Sequence, residues 1–515
     1  MSKIKSMFIT YPRFANLILV IALACAVLFI TGWFNRGLLK HFTFFEMSDQ
    51  INYLTTARNF LEHGRLDSSL IYIGALNQPY TKNTLYMPGY PLILALIFRL
   101  FGYGVIQALL PSLLGYVAGA GLTFLIAWEI IGRKTAWLSA IFFLFFPLNL
   151  LFAFTAMTEI PFLATGLAAF YIFIHLKPGW RWSVGPFLLA VVFLIRKTGA
   201  LLVILMAGYM LLADWKKYWK ETLVFGLMTF FLLVVIYVSP LSSGRISMLS
   251  NMTGSSLYFD AEIAPIEPGI SGIINFLIKR AWINWQFNTL RPLEIFSFGI
   301  LFNSIQLGIL YTLLKNKSSQ YIFSVTLFFV SVFLLIFLVY EIGSFRGIRA
   351  LLFTGPFLLI FQSAVIGELI DSTQSKYRWA SWVSLALFVT LWLVLSSQTI
   401  SNFNDKTVAR TETKTIEFIE SLQHDNRKVL VSDYTLAIPY VEKYYPVQFA
   451  FMPSNRAAME LLLKKADVGT VIVDSSLPIN SPLSRRDLLD LGFKLVHTTE
   501  FRDIKYLVFQ MPDKK

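Results

Sequence analysis

A chain of 515 residues that is 56% hydrophobic, 16% aromatic and only 14% charged departs from the roughly 45–50% apolar, 25% charged usage of soluble domains. Its formal charge of +14 is spread over short loops between apolar runs, which speaks for a membrane and against a basic nucleic-acid face. The single cysteine, Cys25, excludes an intramolecular disulfide and leaves the redox compartment unread.

About 20 helical residues cross a hydrocarbon core of about 30 Å, and runs such as Phe14–Trp33, Leu223–Val238, Tyr321–Tyr340 and Trp379–Ser396 have that length without the alternation of a barrel strand. The pattern predicts an α-helical polytopic membrane protein with about eleven spans: 14–33, 104–131, 135–151, 159–176, 183–195, 198–213, 221–240, 295–314, 321–340, 347–367 and 379–397. The first run continues past any small-residue cleavage site and reads as a retained anchor. With Lys3, Lys5 and Arg13 inside, every second loop is basic: Arg133/Lys134, Lys177/Arg181, Lys216/Lys217/Lys220, Lys315/Lys317 and Lys376/Arg378. This positive-inside pattern puts 34–103, 241–294 and 398–515 outside.

The first outer segment, 34–103, is too long for a plain connection. Ser48 is placed to cap a helix from Asp49 to His63 that stops at Gly64, with Ile51, Leu54, Ala57/Arg58 and Leu61 at helical spacing; this predicts an amphipathic helix at the membrane surface. The apolar piece Pro91–Phe101 is only about 16 Å long as helix, so it should lie in the interface or re-enter. The run 183–195 is about 20 Å long. It is too short to cross, which leaves Arg196 and Lys197 in the outer half of the membrane.

After residue 397 the apolar runs shorten to strand size at Lys428–Ser432, Gly469–Asp474 and Tyr506–Met511, between helix-like stretches near 411–423, 455–465 and 484–491. They predict a C-terminal soluble α/β domain. Two domains are therefore expected: a transmembrane module over 1–397 and an extracytoplasmic α/β domain over 398–515.

Asp49 opens the surface helix, with Tyr53 and Ala57 above it at four-residue steps; it either complements the helix N-terminus or acts as a functional carboxylate. Glu159 follows Thr158 as in a capped helix start, or it orients substrate. Arg196 and Lys197 either snorkel to headgroups or serve function, as intramembrane charges do by default. Arg346 and Arg349 stand beside Glu341, and Arg280 and Arg291 lie in the outer segment 241–294. None of His41, His63, His175, His424 and His497 pairs with another at metal-ligand spacing, and no Walker-type or dinucleotide loop is present. No cofactor is expected, and Glu46 and Asp49 leave an acidic metal-ligand set open without indicating one.

Ser48-Asp49-Gln50-Ile51-Asn52-Tyr53-Leu54-Thr55-Thr56-Ala57 resembles the D-E-x-x-Y-x-x-x-A stretch in the first outer loop of bacterial GT-C transferases related to protein O-mannosyltransferases and the lipid A aminoarabinose transferase. Tyr86-Met87-Pro88-Gly89-Tyr90-Pro91-Leu92 is similar to their Y-P-P-G-Y-P-L. Thr158-Glu159-Ile160-Pro161-Phe162 resembles T-E-P-L-F, Arg196-Lys197-Thr198-Gly199 resembles R-P-T-G, and Arg349 with Pro356 matches the ends of R-Y-L-L-P-x-x-P. Departures are Gln50 for an acid, Met87 and Lys197 for Pro, and Ala350 for Tyr.

The resemblance implies an inverting glycosyltransferase with Asp49 as base, a polyprenyl-phosphate-linked sugar as donor, and an envelope glycan, lipid or protein hydroxyl as acceptor. The enzyme would be integral to a prokaryotic plasma membrane, its active site extracytoplasmic. A retaining route would need a second carboxylate about 5 Å away, for which Glu46 is a neighbour in sequence. A leaving lipid phosphate calls for cations: Arg196, Lys197 and Arg349. Tyr53, Tyr86 and Tyr90 are candidates for stacking on sugar, Glu159 for contacting substrate. The alternatives are a transporter or flippase of lipid-linked glycans, for which internal repeats and mid-span ionisable residues are expected, an O-antigen-ligase-like oligosaccharide transferase, and a non-catalytic assembly protein.

Overall fold

The helices begin where the sequence supplies length and apolarity. A computed structural model describes residues 12–34, 36, 39, 47–73, 79–82, 87–213, 215–238, 321, 324–331, 352–372, 428–431, 449–451, 468–474, 485–501 and 504–512. Among these, four helices are long and apolar enough to cross a membrane: α1 (Pro12–Phe34), α4 (Val105–Ile130), α8 (Pro178–Ile195) and most of α10 (Trp215–Val238). The expected spans 295–314 and 379–397, most of 321–340, and the helical stretches 411–423 and 455–465 lie outside the described residues.

The chain divides into two units: Met1–Phe34, Pro111–Phe154 and Thr158–Phe403 form the first, and Asn35–Leu110, Thr155–Met157 and Asn404–Lys515 the second. In the first, α4 is followed by α5 (Arg133–Leu144), α6 (Pro147–Ala153), α7 (Glu159–His175), α8, a 3-10 turn at Lys197–Leu201, α9 (Leu202–Ala213), α10 and, beyond a second 3-10 turn at Leu352–Thr354, α11 (Gly355–Ser372). The span expected over 135–151 is thus two helices, broken before Pro147, whose fixed φ and missing N–H suit the first turn of a new helix. The helix expected over 183–195 begins five residues earlier, at Pro178. Its 18 residues are about 27 Å long, nearly a full crossing, because Trp180, Arg181 and Trp182 continue the helix in residues that hydropathy discounts.

α8 packs against α7 and α10, α9 against α10, and α5 against α11. Glycine permits the closest approaches: a Cβ on Gly115 would stand 3.1–3.3 Å from the Ile160 side chain and backbone, and one on Gly185 would stand 2.7 Å from the Phe225 ring. Such small-residue contacts are how helices associate where lipid removes the hydrophobic drive. Hydroxyls satisfy themselves along the helices, Thr123 donating to the Gly119 carbonyl at 2.7 Å, Ser139 to Thr135 at 2.6 Å and Ser363 to Leu359 at 2.7 Å. Large apolar side chains left exposed, including Phe29, Phe34, Phe230 and Phe231, suit a lipid-facing surface. The protein is an integral membrane protein.

Polar closure at one set of helix ends is ionic. Arg13 pairs with Glu129 at 2.6 Å and donates to the Tyr171 hydroxyl at 3.3 Å. Arg181 donates to the carbonyls of Ile174 and Leu176 at 3.0 and 3.2 Å, where the C-terminus of α7 presents orphan acceptors.

In the second unit, α2 (Met47–His63) and α3 (Gly89–Phe101) pack together. α2 begins one residue ahead of the expected Ser48 cap and ends at Gly64, whose φ of 66° is the left-handed stop that glycine allows. Every residue from Gln50 to Arg58 is buried, whereas the spacing of apolar residues predicted one buried face. Asn52, Thr55, Thr56 and Arg58 are enclosed with the apolar positions.

The strands are β1 (Asp67–Ile73), β2 (Pro79–Lys82), β3 (Lys428–Val431), β4 (Phe449–Phe451), β5 (Val468–Asp474), β6 (Lys494–Phe501) and β7 (Ile504–Gln510). Their order is β2-β1-β4-β3-β5-β7-β6. β1, β4, β3 and β5 are mutually parallel, β2 is antiparallel to β1, and β5, β7 and β6 run antiparallel. α12 (Arg485–Asp490) precedes β6. The run Val471, Ile472 and Val473 is buried, as a central strand covered on both faces requires. β1 and β2 come from the first long loop and were not foreseen. Leu70 and Ile71 pair with Phe449 and Ala450, so loop and tail contribute to one sheet.

Orientation can be read with single cysteines in a Cys25→Ser background. Glu62→Cys and Leu489→Cys, both at exposed positions, are expected to react with an impermeant maleimide in intact cells, and Lys217→Cys only after permeabilisation. The reverse pattern would overturn the assignment of the long loop and tail to the outside.

Candidate functional site

Asp49 lies in the first turn of α2, where a carboxylate is favoured by the exposed N–H groups of the helix. It is half-buried, and the nine residues after it are buried. The neighbouring Gln50 accepts a hydrogen bond through Oε1 from the Ala156 amide at 3.1 Å. Where the related motif has an acid, this chain thus has a neutral amide meeting a backbone donor.

Tyr53 follows one turn after Asp49. Its ring meets that of Tyr90 on α3 edge to face, with centroids 5.0 Å apart and planes at 87°. Tyr53 is 4% exposed and Tyr90 0%. In that arrangement the pair fastens α2 to α3 with its faces enclosed. Tyr86 lies outside the described residues.

In the first unit, Glu159 is the first residue of α7, and Thr158 before it makes no side-chain capping bond. The Glu159 carboxylate receives a hydrogen bond from Arg196 Nη1 at 2.7 Å. The Glu159 side chain is 1% exposed and that of Arg196 22%. Arg196 ends α8 in extended conformation, φ −153° and ψ 132°, and the chain turns at once into the 3-10 segment that begins at Lys197. Gly199 permits this turn: its N–H returns to the Arg196 carbonyl at 2.9 Å, and a Cβ there would stand 3.0 Å from the backbone of Val192 and 3.1 Å from that of Phe193. A larger residue would displace the backbone that presents Arg196 and Lys197.

The guanidinium also lies 5.9 Å from the ring centroid of Phe162, one turn along α7 from Glu159. Phe162 is stacked on Phe353, centroids 4.2 Å apart. A buried carboxylate and an aromatic ring from one helix therefore hold a cation from the break of another, an arrangement suited to Arg, with its planar charged face and several donors.

Of the residues singled out in the sequence, the structure joins Glu159 with Arg196 and Tyr53 with Tyr90, and sets Lys197 next to Arg196 at the turn. Arg349, with Glu46, Arg280, Arg291, Glu341 and Arg346, lies outside the described residues. Among the described residues no group of three or more His, Cys, Asp or Glu gathers as metal ligands do. Sequence reasoning missed Gln50 as an anchor and Phe162 as a support.

Residues 82–240 match the family model of dolichyl-phosphate-mannose-protein mannosyltransferases. The oligosaccharyltransferase of Archaeoglobus fulgidus in its apo form is 12% identical, with a TM-score of 0.57 over 91% of this chain and 70% of that one. ArnT from Cupriavidus metallidurans, in the apo state and bound to undecaprenyl phosphate, is 13% identical, with a TM-score of 0.51 over 96% of this chain and 98% of that one. No curated protein matches the chain in sequence. The fold is that of the GT-C membrane transferases. Over residues 82–240 the chain is also similar in sequence to the protein mannosyltransferase family, in agreement with the resemblance carried by the motifs.

Packing by Tyr53 and Tyr90 has a measurable consequence. Tyr90→Ala removes a fully enclosed ring and should cost about 3–5 kcal/mol, read as a lower melting temperature and poor recovery in detergent. Unchanged melting with loss of turnover would instead assign Tyr90 to substrate contact.

Proposed function

We propose that this protein is a membrane glycosyltransferase that moves a monosaccharide from a polyprenyl-phosphate donor to a hydroxyl of an extracytoplasmic glycan, lipid or protein, with inversion at the anomeric carbon. The observation that carries the reading is Asp49, a half-buried carboxylate at the start of a helix whose next nine residues are enclosed. It is supported by the buried Glu159–Arg196 pair and by the fold shared with ArnT, a protein solved with undecaprenyl phosphate bound.

In the proposed step the acceptor oxygen attacks the anomeric carbon and forms the new C–O bond. Its proton passes to Asp49 and then to water. The bond from that carbon to the phosphate oxygen breaks with its electron pair, leaving a lipid phosphate with one more negative charge. Arg196, Lys197 and Arg349 receive that growing charge. One displacement with one base inverts; no covalent intermediate is required. Asp49 is the catalytic residue, the three cations bind phosphate, and the chemistry lies on the face of the membrane opposite the basic loops. The chain's own residues supply acid–base and electrostatic catalysis without a resident cofactor in this scheme.

Asp49→Asn is the decisive substitution, because Asn is nearly isosteric and is well tolerated at a helix start. A general base contributes about 10²–10⁴-fold, whereas a surface charge–dipole interaction is worth only about 0.3–1 kcal/mol. The purified variant is expected to melt as the wild type does, to retain binding of a polyprenyl-phosphate sugar, and to lose nearly all transfer. Near-normal turnover with donor and acceptor supplied would leave Asp49 as a helix-start charge alone. The mass of the transferred unit would separate a monosaccharide from an oligosaccharide transferase.

A further inference from the structure

The ion pair at the end of α8 sets a charge as well as a position. Arg196 and Lys197 are consecutive cations, and Glu159, 2.7 Å from Arg196 Nη1, offsets one of them. A strut needs only an acceptor for that N–H, which a neutral Gln provides. A carboxylate whose side chain is 1% exposed is a costly choice for such a strut, and little solvent lies over it to screen its field. The guanidinium has other N–H donors, while Phe162 at 5.9 Å and the stacked Phe353 support it from one side.

Resting on the reading that Arg196 and Lys197 receive the lipid phosphate, we infer that Glu159 is a positioning and specificity residue that discriminates the phosphodiester donor from the phosphomonoester product. A polyprenyl-phosphate sugar carries one negative charge. The lipid phosphate left after transfer carries about −1.5 to −2 near neutral pH. The extra charge is attracted by the two cations and repelled by the fixed carboxylate. Glu159 therefore holds the cationic site to a strength that retains the donor and releases the product.

The test is binding to the full chain in detergent at about pH 8, where the monoester is a dianion, using a short-chain polyprenyl monophosphate and its methyl phosphodiester. Glu159→Gln is expected to raise the monoester-to-diester affinity ratio roughly tenfold, the effect of removing one nearby fixed negative charge in a partly screened site. Product release should slow, so kcat falls without a rise in KM. At about pH 5 the monoester becomes largely a monoanion, and the difference between variant and wild type should shrink. Removing both members of the pair, Glu159→Gln with Arg196→Gln, leaves the local charge sum unchanged and should return the ratio toward the wild-type value while weakening both ligands.

If Glu159→Gln does not fold, Arg196→Gln against the double variant isolates the same carboxylate, whose presence should lower the ratio by a similar factor. A ratio indifferent to Glu159 in both comparisons, with Arg196→Gln still weakening both lipids, would overturn the discrimination and leave the phosphate site standing. Arg196→Gln without effect on either lipid would overturn the phosphate reading itself.

Discussion

A hydrocarbon core offers no hydrogen-bond partner, so every polar group carried into it must be answered from within the chain. Backbone groups are answered by helices and hydroxyls by the preceding turn. A guanidinium needs acceptors for its N–H groups, and Arg196, at the end of a helix nearly long enough to cross, has one at 2.7 Å where α8 stops and the backbone turns. The break at Arg196, the glycine at 199 that allows the turn, and the burial of Glu159 are parts of one solution. The cation is held where the helix ends, and the helix ends where glycine lets the following turn fold back on it.

The same constraint explains what was legible in the sequence. Apolar length located α1, α4 and α7 closely, because crossing a membrane imposes a length that composition reveals, whereas α10 begins at Trp215, ahead of the expected 221, where Lys216, Lys217 and Lys220 continue the helix. It was less informative where residues straddle the boundary: Trp180, Arg181 and Trp182 belong to α8 but lower any hydropathy average, so that helix was read as shorter than it is. Pro147 divides a continuous apolar run into α5 and α6 for a backbone reason that apolarity does not register. In the tail, β3, β5 and β7 announced themselves as short apolar runs, whereas β6, Lys494–Phe501, alternates too little in polarity and carries too many charged and polar residues to stand out.

The candidate site was legible as a set of residue types and not as a set of partners. Asp49, Glu159, Arg196 and Lys197 were each marked by position in a motif or near a span end. That Glu159 faces Arg196, 37 positions away in the chain, has no spacing rule behind it, because two helix ends are brought together by packing. Nor does apolar periodicity reveal that Gln50–Arg58 is enclosed all round, since Asn52, Thr55, Thr56 and Arg58 look like a solvated face. Both an acid and a glutamine can accept from a backbone amide, and here Gln50 accepts from Ala156 at 3.1 Å, a partner 106 positions away that the motif does not announce.

The pairing of β1 with β4 bears on the order of events during synthesis. Leu70 and Ile71 meet Phe449 and Ala450, so β1 lacks its parallel neighbour until nearly the whole chain has been made. Contacts so distant in sequence close late and slowly, after the intervening helices have been threaded into the bilayer. The sheet that begins in the loop after Asp49 is thus closed late, once the segment that supplies β4 has been made.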